Sequence, residues 1–228
     1  GFYVAQLVLE QALGLDVGRE MQTRLFDRFG MTRTSMQWRP DFQTDLADGF
    51  RTDGKPEPHD ERSSVSAAGS MDTDIADQAR LWAGIVRGDG LSGAIRAEMV
   101  RAQAPITSAH QFPSLAPETD PAHAAIALSA GLGLVTFQGP RGKGWFKGGH
   151  NEWTGNMVVC IERERRCLVL LSNDVRAERL YPDLVRAVLG ETGLPWSWEY
   201  DVRPRMTGRA AAFAPFGLDA SVRRQRLQ

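Results

Sequence analysis

The sequence has few of the residues on which common catalytic centres are built. Only two cysteines occur in 228 residues, Cys160 and Cys167. Neither stands in a C-x-x-C pair or beside a histidine, which argues against a zinc site. The four histidines (His59, His110, His123 and His150) are scattered and form no H-E-x-x-H, so neither a metal nor another cofactor is expected. There is no G-x-S-x-G elbow and no G-x-x-x-x-G-K-[ST] loop, which excludes the hydrolase elbow and the phosphate-cradling P-loop. An excess of one charge is also lacking. Against 28 Asp plus Glu stand 27 Lys plus Arg, a net charge of -1, so nothing in the overall field calls for a nucleic-acid partner or an acidic membrane. No apolar run approaches the roughly 18 residues of a membrane span. Lysine is rare, with Lys55, Lys143 and Lys147 as its three positions.

What is present suits a globular protein able to bury a core: 42% of residues are hydrophobic and 24% charged. The chain opens at Gly1 and enters an apolar segment with no basic region before it, so further sequence is expected upstream. Phe2, Ala5, Leu9 and Leu13 fall at helical spacing, closed by Gly14. A second helix carries Met21, Leu25 and Phe29, with Asp16 as N-cap and Gly30 at its end. Residues 37–68 are rich in Pro, Gly and Asp and predict long loops with one short ribbon. A helix then follows, capped by Asp72 or Thr73, with Ile75, Ala79, Trp82 and Val86 as its apolar stripe. A shorter one ends before Pro105.

From about residue 126 the period becomes extended. The segments "AIALSAGLGLVTFQG" and "GKGWFKGG" predict strands, as do "NMVVCIE" and "CLVLLSN" across the turn "RERR". The last two are apolar almost throughout and are expected to be covered on both faces. If Arg163 and Glu164 form the turn tip, Cys160 sits opposite Cys167, within reach of a disulfide, although two buried thiols fit at least as well. A closing helix runs to Gly190, interrupted at Pro182. Trp82, Trp196 and Trp198 are read as packing residues. Beyond lies a tail with six arginines between Arg203 and Arg226 against the single acid Asp219, expected to be loosely ordered.

The chemistry gathers at "KGGHNEW", where Lys147 precedes Gly148 and Gly149 at the edge of the most apolar strands. Four segments, in order, resemble the serine β-lactamase and penicillin-binding-protein superfamily, near its class C and esterase-like branch. "RLFDRFGMTRTSM" (24–36) is similar to that family's "PLGM..T", and "SAAGSMDTDIADQARLWAGIVRGDGLS" (66–92) to its "aaGgl.ST..Dla" stretch. "AGLGLVTF" resembles the "yGLGw" strand. "KGGHNEWTGNMVVCIERERRCLVLLSND" resembles the strands running from the K/H-[TS]-G motif to "vvvLsN". The resemblance spans about residues 1–190.

It implies an α/β (α+β) fold of the β-lactamase/transpeptidase type, an antiparallel sheet flanked by helices plus a helical region, incomplete in this chain. Residues 1–125 would be the helical and loop region, 126–198 the sheet and closing helix, and 199–228 the basic tail. The function implied is that of the C-terminal part of a serine hydrolase forming an acyl-enzyme on amide, lactam or ester substrates. A non-catalytic binding protein on the same fold is the alternative. Lys147 would be catalytic, and the backbone N–H of His150 would complete an oxyanion hole. Gly148, Gly149, Asn151 and Glu152 would line the substrate's path. Two of the family's motifs are absent. The residues three before the lysines are Thr52, Pro140 and Gly144, so there is no S-x-x-K, and no tyrosine has an asparagine two residues on. The expected partners are therefore a small amide, lactam or ester substrate and the missing N-terminal part of the same fold, which would leave this chain inactive alone. One flank of the sheet and the inner face of the last helix should then expose apolar surface. A periplasmic or secreted location is compatible with the family.

Overall fold

The computed structural model describes residues 1–113, 116–200 and 202. Alternating apolar residues in the second half of the chain build a six-stranded antiparallel sheet. Its strands are β3 (Ala104–Pro105), β4 (Ser129–Ala130), β5 (Val135–Gly139), β6 (Gly142–His150), β7 (Gly155–Ile161) and β8 (Arg166–Ser172), in that spatial order. A separate ribbon, β1 (Gly49–Phe50) with β2 (Pro56–Glu57), is the one expected within the long loops.

The sheet is covered on both faces because β6 and β7 send large side chains both ways. On one face Phe146, Met157, Val159 and Ile161 pack against α7 (Tyr181–Leu189), through Tyr181, Val185 and Leu189. The short α8 (Trp196–Glu199) adds Trp196 and Trp198 to the same face. On the other face Trp145, Val158 and Cys160 meet Val100, Leu134, Trp82 and Ile85. Trp145 and Phe146 are fully buried, and burying each stabilises the fold by roughly 2–3 kcal/mol.

The helical region begins with α1 (Phe2–Gln11), then α2 (Val17–Met21), a π-helical turn (Gln22–Phe26) and α3 (Asp27–Phe29). Asp16 caps α2 by accepting from Arg19 N at 2.9 Å, and Gly30 ends α3 with φ 63°. The helix α4 (Ile75–Arg87) packs on this region and on the sheet, and α5 (Gly93–Met99) and α6 (Ala122–Ala125) follow. Trp196 and Trp198 are buried and Trp82 is half-buried, as packing residues should be.

Several expectations are corrected. The cap of α4 is Asp74, which accepts from Asp77 N at 2.8 Å, not Asp72 or Thr73. Its buried face is Asp77, Gln78, Leu81 and Gly84, while Ile75 is exposed. The helix is turned by Asp77, a buried carboxylate that accepts from Arg33 N and Thr34 Oγ1, both at 2.8 Å. The segment expected to be extended from about residue 126 is interrupted by a turn just after α6 and by residues 131–134 between β4 and β5. Strand β8 is an edge strand, half-exposed from Cys167 to Ser172, because no further strand pairs with it among the described residues. Pro182 does not interrupt the closing helix; it lies in the first turn of α7, after a 3-10 turn at Val175–Leu180. The inner face of α7 is buried, and the apolar stripe left in solvent is its outer one, Leu180, Leu184 and Val188. The helix α1 buries no residue at all.

Cys160 and Cys167 pair across β7 and β8 and form a disulfide. Glu199 and Tyr200, assigned to the tail from sequence, are buried against the sheet. The arginine-rich segment from Arg203 onward lies outside the described residues.

Candidate active site

The far end of β6 differs from the rest of the sheet in its hydrogen bonding. Gly139 and Gly142 pair directly across a two-residue turn, so even-numbered β6 residues direct their backbone groups toward β5. Lys143 faces the other way, its carbonyl accepting from Glu162 N at 3.0 Å. The same alternation points the N–H and C=O of Gly148 and His150 away from β7. However, β5 starts at Val135, opposite Phe146. Among the described residues Gly148 and His150 therefore have no strand partner on that side. A free edge of this kind can pair with an extended ligand or donate to a developing oxyanion.

Lys147 lies at the start of this edge. Its Nζ donates to the Gly148 carbonyl, and it lies 5.6 Å from the centroid of the Phe2 ring. The N-terminal end of α1 thus sits at the lysine. Burial pushes the Lys147 ammonium below its usual range, and the Glu199 carboxylate opposes that shift.

The two glycines meet different surroundings. A Cβ at Gly148 would fall 1.9 Å from Glu199 Oε1 and 2.6 Å from the Tyr200 hydroxyl, whereas a Cβ at Gly149 would meet nothing within 4 Å. Gly148 is therefore closed from within, and Gly149 is open.

His150 ends the strand with its Nδ1 3.1 Å from Glu178 Oε1 and its ring edge-on to Tyr200, centroids 5.4 Å apart. The Glu178 carboxylate holds His150 above the ordinary imidazole range, with burial opposing. Asn151 Oδ1 accepts from Trp153 N at 2.9 Å and Thr154 N at 2.7 Å, so that oxygen closes the β6–β7 turn. Glu152 is largely exposed and lies 3.6 Å from Arg51. The turn is held by the β1–β2 ribbon: Phe50 N donates to Trp153 O at 3.2 Å, and Trp153 packs directly against Gly49.

The site residues expected from sequence, Lys147 to Glu152, are thus brought together on one strand end and its turn. Sequence reading missed Phe2, Glu178, Glu199 and Tyr200, which approach from α1, the 3-10 turn and α8. Glu199 had a usable signal, a lone acid inside the aromatic run "WSWEY". Among the described residues no group of three or more His, Cys, Asp or Glu is placed to hold a metal. A surface depression of about 720 Å³ beside Phe29 and Arg80 shares no residue with this strand end.

Among solved structures, the chain is similar to the octameric penicillin-binding protein homologue from Pyrococcus abyssi, with a TM-score of 0.63 and 13% identity. That match covers 82% of this chain and 40% of the other. A β-lactamase/D-alanine carboxypeptidase from Pseudomonas syringae matches with TM-score 0.58 and 15% identity, over 76% of this chain and 52% of that one. A D-alanine carboxypeptidase from Burkholderia cenocepacia gives 0.58 and 17%, over 76% and 54%. The chain thus spans about half the length of the structures it matches. No curated protein matches it. The family comparison matches Beta-lactamase over residues 1–190, and the chain belongs to that family.

Proposed function

We propose that the chain is the sheet-bearing part of a serine hydrolase that forms an acyl-enzyme on amide, lactam or ester substrates. The observation that carries this is the free end of β6. Lys147, the backbone N–H groups of Gly148 and His150, which lack a strand partner among the described residues, and the open side of Gly149 lie together at this end, with Phe2 against the lysine. In this reading the serine and its base come from sequence preceding Gly1. Because Phe2 already touches Lys147, such a segment would enter the site beside the lysine. The Lys147 ammonium would favour the ionised form of a neighbouring base and hold a substrate carboxylate. The N–H of His150 would donate to the oxyanion, and an acyl group would approach over Gly149. The half-exposed edge strand β8 and the stripe Leu180, Leu184 and Val188 offer that same upstream segment an apolar surface.

The test is made on the protein from the complete reading frame. A serine-directed fluorophosphonate is expected to label it, and Lys147→Ala is expected to lower turnover on the order of 10²-fold or more. Unchanged labelling and turnover in that variant would remove Lys147 from the mechanism. The present chain alone is expected to take no label.

A further inference from the structure

Behind the candidate edge lies a charge that the reading above does not use. Glu199 is 6% exposed. Its carboxylate abuts the backbone of Gly148, as the 1.9 Å approach of a Cβ there shows. The carboxylate is held in place by its helix. Gln111 N donates to Trp198 O at 3.0 Å, Trp198 Nε1 to Ser108 Oγ at 3.3 Å, and the Tyr200 hydroxyl to Asn156 O at 2.8 Å. A buried carboxylate needs a counter-charge. No arginine pairs with it among the described residues, and the cations that reach it are His150 and Lys147. His150 is already engaged by Glu178 at 3.1 Å. That leaves Lys147, whose Nζ bonds the carbonyl of Gly148, the residue against which Glu199 rests. The remaining titratable groups packed around them are the hydroxyls of Tyr181 and Tyr200, donated to Gly155 O and Asn156 O.

We propose that Glu199 is a positioning residue for Lys147: seated behind Gly148, its carboxylate keeps the lysine charged and directed along the strand edge. The ammonium and carboxylate act on each other across one glycine without direct contact. The arrangement needs glycine at 148, because any side chain there would displace the acid. Burial pushes the lysine down and the glutamate up, and each is opposed by the charge of the other. Removing the carboxylate leaves only the burial effect on the lysine. This inference rests on the reading of the β6 end as one wall of an active site, but its first test needs no turnover.

The scarcity of lysine makes the measurement clean. With lysine labelled at the side-chain carbon and nitrogen, three NMR signals are expected, and Lys147→Arg identifies its own. In Glu199→Gln the Lys147 pKa should fall by about one unit, with Lys55 and Lys143 unmoved. Tyr200→Phe, which perturbs the same packing but keeps the charge, should leave Lys147 in place. A Lys147 titration unchanged in a folded Glu199→Gln protein overturns the proposal, as does an equal shift in Tyr200→Phe. If Glu199→Gln does not fold, Glu199→Asp provides the same readout through a displaced charge, and an unmoved Lys147 there is equally fatal. In the complete enzyme, Glu199→Gln should shift the basic limb of the kcat/KM profile to lower pH by the same amount. Turnover that survives Lys147→Ala would defeat the catalytic reading while leaving the titration result standing.

Discussion

Replacing Gly148 and Gly149 separately by alanine tests the packing behind the site most directly. In Gly148→Ala the new methyl would lie 1.9 Å from Glu199 Oε1, 2.6 Å from Glu199 Cδ and 2.6 Å from the Tyr200 hydroxyl. Ordinary carbon contacts begin near about 3.5 Å, so both side chains must retreat by around 1 Å or more. Neither is at liberty to do so, since both are 6% exposed and Tyr200 is bonded to Asn156 O at 2.8 Å. Overpacking a closed site costs about 1–3 kcal/mol, and loss of the tyrosine bond adds about 1 kcal/mol. The expected loss is therefore about 2–4 kcal/mol. At roughly 2–4 °C per kcal/mol for a chain of this size, Tm should fall by about 4–16 °C. In Gly149→Ala the methyl meets nothing within 4 Å, and stability should stay within about 0.5 kcal/mol. Urea denaturation followed by circular dichroism measures both variants against the parent. Equal stability of the two would refute the placement of Glu199 and Tyr200 behind Gly148.

Three further outcomes are expected. Contact with Glu178 raises the His150 pKa in the folded state. Its stabilisation is therefore fully present below about pH 6.5 and lost as pH rises through the folded value. The Tm advantage of the parent over His150→Gln should shrink between pH 6 and pH 8.5, and an advantage that grows with pH would contradict the pair. Under native, non-reducing conditions, iodoacetamide followed by mass spectrometry should find no free thiol, and two after reduction. Replacing both cysteines by alanine should cost about 2–3 kcal/mol by loop entropy for a separation of 7 residues. Asp77→Ala leaves Arg33 N and Thr34 Oγ1 without their acceptor in a closed interior, so a loss of roughly 2–5 kcal/mol is expected in denaturant melts. A loss below about 0.5 kcal/mol would show that α4 is not anchored there.

The strands were legible because their apolar period and the short turn "RERR" suggest the pairing, and a turn centred on Arg163 and Glu164 puts Cys160 opposite Cys167, as the structure has it. The caps at Asp16 and Gly30 were legible for the same local reason. The face of α4 was not, because its most buried side chain, Asp77, is polar and is recruited by Arg33 and Thr34 from 43 or more positions away. Strand β8 failed differently. Its run "CLVLLS" correctly signals a strand suited to cover on both sides, but an apolar run cannot name the covering element. Both faces of β8 are packed, Leu168 and Leu170 in the α7 cluster and Cys167 and Val169 in the Trp145 cluster; what stays open among the described residues is its lateral edge. The helix α1 carries the same message: its apolar residues Phe2, Val4, Leu7 and Val8 are exposed and record a demand for packing that the described residues do not meet.

The strand end was legible only as a motif in its surroundings. Lys147, Gly148 and Gly149 read as one unit in sequence, yet they answer separate physical constraints. Gly148 is a glycine because Glu199 and Tyr200 fill the space behind it, an internal requirement set by residues about 50 positions away. Gly149 has no such neighbour, so nothing inside the fold requires its small size. What remains is the free side of the strand, where Gly148 and His150 lack a strand partner among the described residues. A conformational need does not explain Gly149 either, since its backbone avoids the left-handed region that favours glycine. Of the two adjacent glycines, one is accounted for by packing. The other is accounted for only if something beyond the described residues approaches the strand at that point.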